Sequence, residues 1–300
     1  MSAMVEDVAT HAEPLHNEPM RRHTSWRVGG PADFFYEPAS LAELQQILAS
    51  LPRGMPLLWL GLGSNLLVRD GGLRGAVIAT GGLPRELERL DGNRVRAGAG
   101  LPCALLARQC VRWQLGPAAF FAGIPGSVGG ALAMNAGAFG GETWDDVEHV
   151  TTIDRAGELH ERARDEFTVG YRSVQGPASE WFLGATFALA SDATTTAGLK
   201  AMLARRAATQ PLGAPSCGSV FRNPTGDYAG RLIESAGLKG ARVGGAVVSD
   251  KHANFIVNDG DATAEDIEQL IERVRAQVEK TSRVRLELEV RVVGEPRGAQ

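Results

Sequence analysis

Three side chains far apart in this sequence have the types needed for proton and carboxylate chemistry: the hydroxyl of Ser219, the guanidinium of Arg172 and the carboxyl of Glu289. Ser219 lies in Ser216-Cys217-Gly218-Ser219-Val220-Phe221-Arg222-Asn223-Pro224, a lone hydroxyl between a glycine and an apolar pair, directly ahead of a cation and an amide. A hydroxyl set that way can give a proton to a bound intermediate. Arg172 follows Tyr171 after a helix-like acidic segment, and its planar, permanently charged fork suits a carboxylate. Glu289 belongs to the run Val284-Arg285-Leu286-Glu287-Leu288-Glu289-Val290-Arg291. An anion beside developing negative charge is repulsive unless it is protonated or oriented by a cation. Singly, each has a plainer reading: a Gly-Ser turn, a surface cation, and the solvated face of an edge strand.

Two glycine-rich loops lie upstream. The apolar run Pro56-Leu57-Leu58-Trp59-Leu60 leads straight into Gly61-Leu62-Gly63-Ser64-Asn65, where backbone N–H groups stand with little side-chain obstruction, as close approach to a pyrophosphate requires. The loop is not a dinucleotide fingerprint, because Leu66 takes the sixth position and Leu67-Val68 continue as a strand; a Walker A loop is absent as well. By itself it reads as a tight inter-strand turn. The second loop, Gly123-Ile124-Pro125-Gly126-Ser127-Val128-Gly129-Gly130, continues to Asn135-Ala136-Gly137-Ala138-Phe139-Gly140 and offers a neutral surface for a planar ring.

Around these motifs the chain is 300 residues long with a net charge of -4, which gives no global attraction to nucleic acid or anionic lipid. That length exceeds one small core and predicts two or three domains. Cys103, Cys110 and Cys217 form no closed disulfide set and no zinc or redox spacing, so a reducing, cytoplasmic setting is expected and no metal site is. Residues 1–20 carry Glu6, Asp7, Glu13 and Glu18, show no apolar export core, and read as a mobile leader, with order beginning near Thr24. Residues 118–141 carry no charge, yet their seven glycines and one proline argue against a membrane helix and for buried loop and turn structure facing a ligand.

The elements that must position the motifs alternate without regular βαβ order, which predicts an α+β fold. Ser40 with Glu43 caps a helix carrying Leu41, Leu44, Ile47 and Leu48 on one face, ending before Pro52. Strands are expected at 75–80, 94–99, 147–153 and 181–189, and a helix through Leu105, Leu106 and Trp113 that packs Cys103 and Cys110. A helix through Arg206 leads into a second region, where Gly237 terminates a helix bearing Leu232 and Ile233. Thr263 and Asp266 cap a longer helix with Ile267, Leu270, Ile271, Val274 and Val278 on one face. In the last strand Val284, Leu286, Leu288 and Val290 face one way, and Arg285, Glu287, Glu289 and Arg291 the other.

From about residue 24 to residue 294 the chain resembles the UDP-N-acetylenolpyruvoylglucosamine reductase (MurB) family, in the branch without a tyrosine-loop insertion. The resemblance rests on both glycine-rich loops, on 216–224, and on Ala236-Gly237-Leu238-Lys239-Gly240, Lys251-His252-Ala253-Asn254-Phe255-Ile256-Val257-Asn258 and Leu288-Glu289-Val290-Arg291. It implies a two-part FAD-binding domain of the vanillyl-alcohol-oxidase type at 21–192, with lobes at approximately 21–82 and 83–192, and a C-terminal α+β substrate-binding domain at 193–300. It also implies noncovalent FAD held at the pyrophosphate by Gly61, Gly63, Ser64 and Asn65, and at the flavin by Gly123, Ile124, Gly126, Ser127 and Gly130.

The implied reaction, in peptidoglycan precursor synthesis, reduces UDP-N-acetylglucosamine enolpyruvate to UDP-N-acetylmuramate. NADPH is the donor, and the donor and the sugar nucleotide use one cleft in turn, in keeping with the lack of a separate pyridine-nucleotide fingerprint. Negative charge then develops beside the substrate carboxylate. Arg172 and Glu289 match the family positions near that carboxylate, Ser219 the proton donor, and Asn223 a phosphate contact, with Arg222 or Arg205 supplying charge and His252 lining the nucleotide channel. Matched together, the three positions favour the catalytic reading over the plainer ones. Two departures touch the diphosphate contacts: only a short connection joins Arg172 to Trp181, and Gln210 falls where the other branch has a lysine. An FAD-linked alcohol oxidase of the related fold and a noncatalytic flavin or nucleotide-sugar binder are the competing readings.

Overall fold

A computed structural model describes residues 13–298. The first lobe is a four-stranded sheet in the order Leu15–Pro19, Pro31–Tyr36, Leu73–Ala79, Leu57–Leu60, antiparallel at its first pair and parallel at the others. Leu15–Pro19 therefore belongs to the sheet and is not part of a mobile leader; residues 1–12 lie outside the described residues. The helix Leu41–Ser50 packs on this lobe through Leu44, Ile47 and Leu48, with Ser40 Oγ accepting the Glu43 N–H as its cap. Leu41, expected on the same face, is exposed, because the first turn lies outside the packed stripe.

The second lobe is a five-stranded antiparallel sheet in the order Leu159–Ala163, Val147–Asp154, Glu180–Ala188, Arg94–Gly98, Leu87–Arg89. The helix Cys103–Trp113 packs into its core with Cys103 and Cys110 fully buried, and burial pushes both thiols up to about 12, leaving them inert packing groups. The uncharged segment 118–141 is not all loop. It contains a short 3₁₀ turn, Ala119–Gly123, and the helix Val128–Met134, with Phe120, Phe121, Val128 and Leu132 in the lobe core. Glycine density concealed this helix, since only tertiary packing offsets its low helix propensity.

The helix Thr196–Thr209 connects to the C-terminal region, where Arg242–Val243, Ala246–Val248 and Ile256–Asn258 form a small sheet covered by the helices Ala229–Ser235 and Ala264–Ser282. In the long helix Ile267, Leu270, Ile271, Val274 and Val278 are all buried, each worth about 1.5–3 kcal/mol of apolar transfer. The expected final strand is mostly extended chain without a full ladder: Leu286 and Val290 are buried, and the paired strand is Arg291–Val293. That strand lies parallel to Leu66–Val68, so the C-terminal chain crosses back onto the first lobe immediately after its glycine-rich loop. Trp26, Val28 and Leu67 pack in the C-terminal core for the same reason.

Candidate active site

The two glycine-rich loops face one another. A Cβ on Gly61 would stand 2.6 Å from Ser127 Oγ, and one on Gly126 would stand 3.3 Å from Ser64 Oγ. Ser127 is itself fixed as the N-cap of Val128–Met134, its Oγ accepting the Gly130 N–H at 3.4 Å. Opposite these loops the C-terminal region supplies Gly218, Ser219 and Glu289, and together they enclose a cleft of about 430 Å³. All nine sequence-assigned cofactor residues line it, as do Arg172, Ser219 and Glu289.

Gly63 has a φ of +62°, and a Cβ there would collide with the His23 carbonyl oxygen. The need for glycine is thus set by protein backbone, not by the space a cofactor would take. Its carbonyl also accepts the Ser25 N–H at 3.1 Å and lies 3.7 Å from Cys217 Sγ, so this loop anchors the segment that carries Ser219. Gly63→Val is expected to displace the loop and lower flavin occupancy, read as the ratio of visible to ultraviolet absorbance in the purified protein. Occupancy equal to the parent would refute the assignment.

Arg172 sits at the tip of a hairpin between Thr168–Gly170 and Ser173–Gln175, with φ +52°. The acidic segment before it is a single 3₁₀ turn, Arg164–Glu166, and not a longer helix. Three of its donor directions are already fixed: Nε donates to Glu289 Oε1 at 3.1 Å, Nη1 to the Asn135 carbonyl at 3.2 Å, and Nη2 to the Gly137 carbonyl at 2.9 Å. The Arg172 and Glu289 side chains are only 15% and 12% exposed. Burial raises the Glu289 carboxyl above its ordinary range, opposed first by the charge and hydrogen bond of Arg172 and then by the charge of Arg222. The carboxyl is therefore oriented by a cation, one of the two conditions under which an anion is tolerated at this place.

Several positioning roles escaped the sequence reading, one of them at a residue assigned there to the cofactor. Asn65 Nδ2 donates to the Glu289 carbonyl at 3.0 Å, and the Asn65 carbonyl accepts the Arg291 N–H at 3.0 Å. The side chain of this loop residue thus locks the Glu289 backbone. Asn135, in left-handed conformation at the end of Val128–Met134, donates to Glu142 Oε2 at 2.8 Å and to the Gly170 carbonyl at 3.1 Å, tying the second glycine-rich loop to the Arg172 hairpin. Buried Asn254 brackets Phe221, accepting its N–H at 3.0 Å and donating to its carbonyl at 2.8 Å, two residues beyond Ser219. Asn254 stood in a quoted motif, but no local signal marks an amide that clamps backbone 33 residues away.

Arg222, Asn223 and His252 do not line this cleft. Asn223 Oδ1 accepts the Ala229 N–H at 3.1 Å, an end-of-helix bond. His252 packs edge-on to Phe255, and its Nδ1 accepts the Asn254 N–H at 3.3 Å; burial lowers its pKa, so it stays neutral over more of the pH range. The cleft instead carries Arg205 and Arg206 from Thr196–Thr209, with Arg291 and Gln210. Four arginines against the single carboxylate Glu289 make it locally basic in an acidic chain, which favours polyanionic ligands.

Residues 32–162 match the profile of an FAD binding domain, and residues 210–293 that of the UDP-N-acetylenolpyruvoylglucosamine reductase C-terminal domain. A UDP-N-acetylenolpyruvoylglucosamine reductase of Alkalilimnicola ehrlichii is 59% identical across 94% of this chain and 95% of its own length. The chain belongs to the UDP-N-acetylenolpyruvoylglucosamine reductase family. A Methylococcus capsulatus reductase of the same name is also 59% identical, over 94% of this chain and 93% of its own. The crystal structure of the reductase from Thermus caldophilus superposes with a TM-score of 0.79 at 34% identity, covering 93% of this chain and 98% of that one. The reductase family fold thus combines an FAD-binding domain with its C-terminal domain, as the α+β reading expected, and the chain is an FAD-dependent oxidoreductase. The uncharged lining from Gly61 to Asn65 and from Gly123 to Ser127, set beside the arginines of the basic cleft, fits FAD, and these loops would hold it.

Proposed function

We propose that this chain catalyses NADPH-dependent reduction of UDP-N-acetylglucosamine enolpyruvate to UDP-N-acetylmuramate, as a cytoplasmic enzyme of peptidoglycan precursor synthesis. The observation that carries this reading is the Arg172–Glu289 pair sharing one cleft with Ser219 and both glycine-rich loops. Bound FAD supplies two-electron hydride chemistry between the nicotinamide donor and the enolpyruvyl carbon. The chain's own residues do the rest. Arg172 keeps one N–H on each terminal nitrogen beyond its protein bonds, enough to meet a carboxylate oxygen while its other donors hold Glu289 and the loop at 135–137. Ser219 Oγ gives the proton to the carbon next to the carboxylate. Arg205 and Arg206, which line the cleft, meet the diphosphate, in place of Asn223 and His252, which do not line it.

Apart from the strand Leu15–Pro19, which extends the sheet of the first lobe, the domain limits follow the same reading, with FAD binding at 21–192 and substrate binding at 193–300, joined through Trp26, Val28 and Leu67 in the C-terminal core. Free, buried cysteines suit a reducing compartment, and among the described residues no helix is long and apolar enough to cross a membrane. An oxidase acting on simple alcohols has no support from the reductase relatives.

Anaerobic mixing with NADPH, then with the enolpyruvyl sugar nucleotide, tests the proposal. Flavin absorbance should bleach and then return, and acid precipitation should leave the chromophore in the supernatant. Bleaching without return on adding the sugar nucleotide would reject the activity.

A further inference from the structure

Arg222 stands behind the Arg172–Glu289 pair, outside the cleft lining. Its Nη2 donates to the Arg172 carbonyl at 3.1 Å, across the hairpin tip where Arg172 adopts its left-handed conformation. Such a conformation in a non-glycine residue persists when surrounding bonds enforce it. The backbone of Arg222 is fixed as well: its N–H donates to the Glu287 carbonyl at 2.9 Å, while the Glu289 N–H donates to the Val220 carbonyl at 2.9 Å. The segments carrying Ser219 and Glu289 are thus bonded on both sides of the Phe221–Leu288 bridge. Arg222 Nε is buried without a partner, a cost that a freely solvated surface arginine would not bear.

Resting on the reductase reading, we infer that Arg222 is a positioning residue for the Arg172–Glu289 pair: its guanidinium fixes the hairpin tip that presents Arg172 and sets a second positive charge behind the Glu289 carboxylate. It is not a phosphate contact. The charged groups around Glu289 are Arg172 from the hairpin, Arg222 from the segment after Ser219 and Arg291 from its own segment, with Glu142 Oε1 at 3.9 Å from Arg172 Nη1. Arg222 adds to the opposition that Arg172 offers to the burial effect on Glu289.

The test compares holoenzyme with R222M and R222K. R222M should keep FAD content and NADPH bleaching, slow reoxidation by the enolpyruvyl sugar nucleotide by on the order of 10-fold to 10²-fold, and leave KM for that substrate unchanged. Infrared difference spectra against E289Q should place the Glu289 carboxyl titration at higher pH in R222M than in the parent, because a stabilising cation is gone. R222K should return the titration toward the parent and recover part of the rate. A raised KM at unchanged kcat, with the titration unmoved, would overturn the inference in favour of a phosphate contact. Loss of FAD and of both half-reactions with an unmoved titration would overturn it in favour of a merely structural role. If the parent itself is not reoxidised by the sugar nucleotide, the functional reading fails, and the carboxyl titration still decides the role of Arg222.

Discussion

Ser219→Ala is expected to keep its FAD and to bleach with NADPH at the parent rate, yet to reoxidise 10²–10⁴-fold more slowly with the enolpyruvyl sugar nucleotide, the usual order of magnitude for loss of a positioned proton donor. The split follows from the surroundings of Ser219. Its backbone is held by what lies next to it: Val220 and Phe221 are buried, the Val220 N–H donates to the Asn254 carbonyl at 2.9 Å, and Asn254 brackets Phe221. Removing one oxygen leaves those bonds intact, so the loop and the cleft persist. The apolar neighbours also offer no substitute proton. Ser219→Cys should retain more activity than Ser219→Ala, since a thiol carries a transferable proton. Stopped-flow absorbance of the two half-reactions checks this; slowing confined to the NADPH step, or no slowing at all, would make Ser219 a turn residue only.

Arg172→Lys is expected to lower the rate of reoxidation on the order of 10²-fold while leaving FAD bound, despite conservation of charge. The guanidinium reaches Glu289, the Asn135 carbonyl and the Gly137 carbonyl in three directions at once, and a lysine ammonium on a flexible stem cannot reproduce that fork. A misplacement of about 1 Å at a reacting group is enough for a loss of this size. The pH dependence has a definite sign. Burial raises the Glu289 pKa and Arg172 opposes that rise, so weakening the pair lets the carboxyl titrate at still higher pH. The ionised carboxylate is the form that holds the Arg172 guanidinium, so the acid limb of the oxidative half-reaction moves to higher pH in Arg172→Lys. A limb at parent pH with a near-parent rate would contradict the arrangement. Arg172→Met is harsher, because a buried carboxylate losing its partner costs about 3–5 kcal/mol, and its thermal midpoint should fall.

Much of this site was legible in the chain itself. Read singly, the glycines at 61, 63, 123, 126 and 130 gave only turns, and Ser219, Arg172 and Glu289 a turn residue, a surface cation and an edge-strand carboxylate; the resemblance of their motifs, taken together, to one family marked them as site residues, and all of them line the cleft. The helix Ala264–Ser282 was equally plain, since its cap and its apolar stripe are local periodic signals. The helix Val128–Met134 was not, as a window holding Gly129 and Gly130 gives packing, not propensity, the deciding vote. Asn223 as a phosphate contact and His252 as lining of the nucleotide channel fit the sequence motifs, where nothing reports which way a side chain points.

By itself, then, the sequence determined the inventory: a pair of glycine-rich loops, a hydroxyl, a carboxylate and a cation, and the local elements that bear them. Tertiary structure decided their roles, because those roles depend on contacts between residues far apart in the chain. Arg172 and Glu289 are 117 positions apart and meet at 3.1 Å; Asn65 and Glu289 are 224 apart and meet at 3.0 Å. Both meetings occur because Arg291–Val293 pairs beside Leu66–Val68, bringing the end of the chain onto the first loop. No periodicity or local propensity encodes such a pairing; it arises when Trp26, Val28 and Leu67 bury their apolar surface in the C-terminal core. The raised carboxyl of Glu289 follows from that burial, and with it the chemistry the three side chains can perform.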